Sequence, residues 1–193
     1  GTHSPKEFIE SLKSPRKILL MIRAGHPVDE MITTLLPFLK KGDTIIDGGN
    51  SDYRDTQRRE NELREKGIFF VGCGISGGEE GALHGPSIMP GGADEIKKEI
   101  LPVLQNIAAH LDDGTPCCSW IGPDGSGHFV KTVHNGIEYG DMQLIAEAYS
   151  LLNVLQKGDH EATAQTFESW NKGVLDSCLL YTSDAADDLI GVD

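Results

Sequence analysis

The chain has 193 residues, 38% of them apolar, enough to enclose a hydrophobic core. Its 30 acidic residues against 17 basic ones give a formal charge of −13, which repels phosphate backbones and anionic membranes and argues against nucleic acid as a partner. Cys73, Cys117, Cys118 and Cys178 show no CxxC and no zinc-like spacing, no N-terminal signal segment is visible, and no apolar run nears the roughly 18–20 residues of a membrane span, so the expectation is a cytoplasmic protein with neither metal nor membrane.

In chain order, KEFIESLKSP spaces Phe8, Ile9 and Leu12 as a helix does, and Ser14-Pro15 closes it. KILLMI, Lys17 to Ile22, is a continuous apolar run that predicts a strand covered on both faces. A helix is predicted from about Val28 to Leu39, a second buried strand over TIIDGGN (Thr44 to Asn50), a charged helix from Asp52 to Glu65, and a third strand over IFFVGCGI (Ile68 to Ile75). Alternating strands and helices at this spacing predict a parallel α/β sheet. Further on, SIMPGG (Ser87 to Gly92) reads as a short strand, Glu95 to Ala109 as a helix, and CCSWIG (Cys117 to Gly122) as another strand. After the glycine-rich GPDGSG at Gly122 to Gly127 the pattern changes to a long helix, about Gly125 to Leu155, and a shorter one from Glu161 to Leu175.

Three segments hold the groups suited to chemistry. In GHFVKTVHNGIEYGDMQ, Lys131, His134, Asn135 and Glu138 stand at i, i+3, i+4 and i+7, a stripe roughly 100° wide. Phe129, Val133, Ile137, Leu144, Leu151 and Leu155 form a separate apolar stripe that predicts burial in a core. An ordinary solvated face is the alternative for the polar stripe, but Gly136 and Gly140 inside the helix, each disfavoured by about 1 kcal/mol relative to Ala, point to close backbone packing. GISGGEEGALHGPSIMPGG begins at the end of the third strand, where Ser76-Gly77-Gly78 offers a hydroxyl and unshielded N–H groups to an anionic oxygen, or is simply a tight turn needing positive φ. IIDGGNS places Asn50 at another strand end; Asp47 either caps the next helix or closes a turn.

In this order and spacing, IIDGGNS, GISGGEEGA with GPSIMPGG, and GHFVKTVHNGIEYGDMQLIAEAY resemble the 6-phosphogluconate dehydrogenase family, the decarboxylating enzymes of the pentose phosphate pathway, over roughly residues 4–177. The resemblance implies that 6-phosphogluconate is oxidised to ribulose 5-phosphate and carbon dioxide with reduction of NADP, without a metal, by a homodimer. It implies Lys131 as general base, which requires an amine that gives up its proton readily, and Glu138 as the acid that protonates the enediol. Ser76, Gly77, Gly78, His134, Asn135 and Tyr139 would hold the substrate, with Asn50 between substrate and cofactor, and Ile22, Arg23 and Ala24 would border the dinucleotide.

A Rossmann domain opens with a strand and a glycine-rich turn that grips the pyrophosphate, and neither stands before Lys17. By resemblance, residues 1–124 are then the later half of a Rossmann-type parallel sheet, and 125–177 the first helices of an all-helical domain. KILLMI would present an unpaired apolar edge. Residues 178–193 hold four Asp and no Lys or Arg, and read as a non-native tail resembling a translated adapter. The expectation is an internal piece without turnover of its own; the alternative is a natural short form that binds a sugar acid or a partner subunit. NADP rests on the resemblance alone.

Overall fold

A computed structural model describes residues 1–177 together with 179 and 180; the expected tail, 178–193, otherwise lies outside the described residues. The chain falls into two compact units, Gly1–His134 and Asn135–Asp193.

In the first unit, α1 (Pro5–Ser11), capped by the Ser4 hydroxyl, leads into β1 (Lys17–Leu20), α2 (His26–Leu35), β2 (Thr44–Asp47), α3 (Tyr53–Arg64) and β3 (Phe69–Ser76). β1, β2 and β3 pair in parallel, as the alternating pattern predicts. Successive strand residues point to opposite faces, and both are apolar here. Ile18, Leu20, Ile45 and Phe70 pack with Ile9, Val28, Ile32 and Leu63 on one side. Ile46, Val71, Cys73 and Ile88 pack with Ile96, Ile100 and Leu104 of α5 (Asp94–Ile107) on the other.

The fourth strand, β4 (Ser87–Gly92), runs antiparallel to β3. Residues 77–86, which join them, are fewer than the dozen or so a parallel crossover needs. They reverse through a short helix, α4 (Gly78–His84), that the motif does not announce. The sheet order is β1-β2-β3-β4, so β1 lies at an edge, and the expected cover on both its faces fails: Ile18 and Leu20 are buried, but Lys17 and Leu19 are exposed and no β1 residue joins the second cluster. The strand predicted over Cys117–Gly122 does not form. Only scattered bonds reach β4, from Ile88 N–H to the Cys117 carbonyl, Ile121 N–H to Pro90, and Gly92 N–H to Gly122. The Cys118 carbonyl instead accepts from the Gln105 side chain at 3.3 Å, and a single bridge at Ile88 remains.

The helix α6 (Ser126–Leu155) begins in the first unit and continues in the second, where α7 (His160–Trp170) follows. Gln156 accepts from the Thr163 hydroxyl at 2.6 Å, and Phe167 packs between the rings of Tyr149 and Trp170. Here two expectations fail. Of the apolar stripe, Ile137, Leu144, Leu151 and Leu155 are exposed, and among the described residues nothing packs against Gly136 and Gly140. A stripe is buried only where a matching surface meets it, and among the described residues of this unit only α7 is available. Phe129 and Val133, in the first unit, are also half exposed, although Phe129 meets Tyr53 edge to face at 5.2 Å. No helix among the described residues is long and apolar enough to cross a membrane.

Candidate active site

Two loops meet beyond the carboxyl ends of β1 and β2, the usual place for a ligand in an open α/β sheet. The first runs from Met21 to Gly25, whose φ of +87° starts α2. In the second, buried Asp47 closes a turn: Oδ1 accepts from the Gly49 N–H at 3.0 Å and Oδ2 from the Ser51 hydroxyl at 2.6 Å. Asp52, not Asp47, caps α3. A Cβ on Gly48 would meet the flexible Met21 side chain at 2.5 Å, and one on Gly49 the Ile22 carbonyl at 2.9 Å, so it is the glycine at 49 that lets the two backbones lie this close. A cavity of about 430 Å³ lies here, lined by Ile22, Arg23, Ala24 and Asn50, with Met21 and Ile75 as apolar walls.

The second feature is built on glycines of β3. Gly72 and Gly74 share a strand face, and the first turns of α6 rest on it. A Cβ on Gly74 would meet Lys131 Cβ at 2.6 Å, and one on Gly127 would run into the carbonyls of Gly72 and Met89. This approach draws Lys131 into the interior, where it is 7% exposed. One turn on, His134 Nε2 lies 3.2 Å from Ser76 Oγ at the end of β3. Gly77 and Gly78 have φ of +148° and +54°, so the turn does need positive φ. The first unit thus gathers Ser76, Lys131 and His134 near the end of β3. Asn135, Glu138 and Tyr139 follow along α6 in the second unit, Tyr139 exposed.

Behind the loops lies a buried polar cluster that the motifs do not reveal. Arg59, 1% exposed, donates from Nε and Nη2 to the two Asp29 oxygens at 2.8 and 3.0 Å and from Nη2 to the Gly25 carbonyl at 3.0 Å; its Nη1 stands 3.8 Å from Asp47 Oδ2. The Arg59 bond holds the Asp29 carboxyl down at about 2. His128 is also buried, with Nδ1 2.7 Å from the Thr56 hydroxyl. Burial lowers its pKa below the ordinary 6.5, opposed by the Asp47 charge and by the backbone of Asp47 and Gly49. Burial pushes the Cys73 thiol up to about 12, so it is a packing residue and not a nucleophile. The signal that could have found His128 and Thr56 is the pair of alternating glycines in VGCG, which marks where another element presses on the strand.

A sheet with parallel β1–β3, a crevice at their carboxyl ends, a Ser-Gly-Gly turn and a lysine-bearing helix that leaves the sheet define a Rossmann-type dehydrogenase fold. The model for the NAD binding domain of 6-phosphogluconate dehydrogenase matches residues 1–122, and that for the 6-phosphogluconate dehydrogenase C-terminal domain matches residues 127–186. The chain belongs to the 6-phosphogluconate dehydrogenase family. Among its relatives, the decarboxylating 6-phosphogluconate dehydrogenase of Ovis aries is 56% identical over 93% of this chain, and the NADP(+)-dependent one of Bacillus subtilis is 57% identical over 93%. The chain spans 37% and 38% of the lengths of these relatives. The structure of Plasmodium falciparum 6-phosphogluconate dehydrogenase, studied with NADP+ and with 6-phosphogluconate, superposes with a TM-score of 0.87 at 43% identity, covering 95% of this chain and 40% of that one. A 3-hydroxyisobutyrate dehydrogenase of Salmonella typhimurium, 16% identical, shares the fold with a TM-score of 0.74 over 95% of this chain and 60% of that one.

Proposed function

We propose that this chain supplies the substrate-activating part of an NADP-linked 6-phosphogluconate dehydrogenase that releases ribulose 5-phosphate and carbon dioxide. The observation that carries the reading is Lys131, buried against Gly74 one helical turn from the Ser76–His134 contact. The names of the relatives and the ligands of the Plasmodium structure support it.

The residues present suit the nicotinamide end of NADP. The cavity between the loops has a size common for small-ligand sites. Gly48 and Gly49 line it without side chains of their own, which leaves room for a flat ring against Met21 and Ile75, with Ile22, Arg23, Ala24 and Asn50 as the remaining contacts. Among the described residues no glycine-rich turn precedes β1 to hold a pyrophosphate. When bound, NADP accepts the hydride equivalent released from carbon 3 of the sugar acid.

The chain's own groups do the rest. Lys131 takes the proton of the 3-hydroxyl, so that carbon 3 becomes a ketone. The bond to the carboxylate then breaks, its electron pair moves toward the ketone, and the ketone oxygen takes back the proton held by Lys131, leaving an enediol and carbon dioxide. Glu138, placed seven residues after Lys131 on α6, returns a proton to carbon. Ser76, Gly77, Gly78, His134, Asn135 and Tyr139 hold the sugar acid, and Asn50 lies between it and the cofactor. Residues 1–124 form the dinucleotide part and 125–177 the start of the helical part. A homodimer in the cytoplasm completes the proposal; the exposed Ile137, Leu144 and Leu151 suit a partner surface.

The test is a chimaera in which this chain replaces the matching stretch of the Bacillus subtilis relative. It should reduce NADP with 6-phosphogluconate, and Lys131→Ala should lower turnover by about 10²–10⁴-fold, the usual contribution of an acid or base. Near-normal turnover of the Lys131→Ala chimaera would remove the lysine from the mechanism.

A further inference from the structure

The buried imidazole of His128 has no part in the chemistry above, yet it touches most of the elements that form the site. It sits in the first turn of α6, three residues before Lys131. Its Nδ1 is 2.7 Å from the Thr56 hydroxyl of α3, and a Cβ on Gly72 of β3 would meet that nitrogen at 2.9 Å, so the ring is wedged between helix and sheet. The backbone of Asp47 and Gly49 acts on the ring, which places it against the turn that presents Asn50. Its Nε2 is buried without a partner at hydrogen-bonding geometry. A buried donor is costly unless a polar group lies near, and those two residues supply the nearby polar backbone. Asp47 of the same turn also faces Arg59, which holds Gly25 of the opposite loop and Asp29 of α2.

We propose that His128 is a positioning residue: its ring joins the Gly48–Asn50 turn to the first turn of α6 and so fixes where Asn50 stands relative to Lys131. The catalytic consequence rests on the function proposed above, whereas the mechanical one does not. The ring works from two sides. The hydrogen bond between Nδ1 and the Thr56 hydroxyl steadies the ring, while the Nε2 side faces the turn. The charged groups facing this assembly are Asp47 and Arg59, and neither is part of α6.

Amide hydrogen exchange of the chain itself, followed by NMR, separates these sides. Glutamine reproduces the reach of Nε2 and asparagine that of Nδ1, so His128→Gln keeps the contact with the turn and His128→Asn keeps only Thr56. In His128→Asn the Gly49 and Asn50 amides should exchange about tenfold faster, the effect of losing the ring's support at a local opening of the turn, while Val71 and Cys73 in β3 keep their protection. In His128→Gln the turn should return to within about threefold of the parent rate. Equal behaviour of the two variants, or acceleration of turn and β3 alike, would overturn the proposal. In the chimaera, His128→Asn should lower kcat about tenfold with KM for 6-phosphogluconate little changed, and His128→Gln should recover most of it. A loss confined to KM would contradict the positioning role, and an inactive parent chimaera would count against the function proposed above while the exchange result still decides the role of His128.

Discussion

One helix is treated in opposite ways by its two ends. In the first unit, α6 sinks into the backbone of β3 and β4: Gly127 lies against carbonyls, and His128 and Lys131 are buried although both are polar. In the second, the same helix has glycines at 136 and 140 with nothing near them among the described residues, and an exposed apolar stripe. A glycine within a helix costs about the same in either place. What differs is whether another backbone meets it, and only the tertiary structure decides that. The two regions can be followed separately, because Trp120 belongs to the first and Trp170 to the second, and these are the only two tryptophans.

The largest effect expected lies at the packed end. In Gly127→Ala the new methyl would collide with the Gly72 and Met89 carbonyls, which belong to paired strands and cannot turn aside as a flexible side chain could. A loss of about 3 kcal/mol is expected in urea unfolding read by Trp120 fluorescence, at the upper end of overpacking costs. A change below about 0.5 kcal/mol, the range of ordinary surface substitutions, would show that α6 does not rest on the sheet at this point.

The same contrast explains what was legible in the sequence. The parallel order of β1 to β3 follows from apolar runs alternating with amphipathic helices; β2 and β3 are covered on both faces as such runs imply, whereas β1, equally apolar, is buried on one face only, because no strand pairs beyond it. The antiparallel β4 and the short α4 do not follow from such patterns; the brevity of the link between Ser76 and Ser87 decides them, and a motif rich in glycine disguises a helix. Lys131, His134 and Ser76 stand out because their spacing and strand-end position say what they could do. Arg59 and Thr56 are hidden in a charged helix whose pattern reads as solvated, since the sequence does not show that Asp29 and His128 lie opposite them. The stripe from Ile137 to Leu155 was legible as apolar but not as exposed, because periodicity describes the helix and not its neighbour.

A smaller effect should appear on mild acidification, again at the packed end. The folded state holds His128 below its ordinary 6.5, so on acidification the unfolded chain takes up this proton first. Stability from this group is therefore complete above about pH 6.5 and falls as pH drops below it, with a slope of at most about 1.4 kcal/mol per pH unit. Asp29 acts in a lower window: its folded value is about 2 against 3.8 unfolded, so its contribution is present above pH 3.8 and fades as pH falls toward 2. Urea unfolding between pH 7 and 5, read by Trp120, should therefore lose this slope in His128→Gln. An unchanged slope would assign the acid sensitivity to another group.

The smallest effect has the opposite sign and belongs to the open end. Gly136→Ala adds a methyl where, the helix's own backbone aside, no heavy atom of the described residues lies within 4 Å, so the substitution changes only the helix's own backbone freedom. It should stabilise α6 by about 1 kcal/mol in urea unfolding followed by helical circular dichroism, with Trp170 fluorescence reporting the second unit. Gly140→Ala should behave alike, since its surroundings are equally empty. A loss of stability in the isolated chain would mean that backbone does approach this face, and the contrast between the two ends of α6 would then fail. A gain in the isolated chain that turns into a loss when the chimaera assembles would identify the glycine pair as a contact reserved for a partner, because the same methyl would meet open space in one state and another backbone in the other.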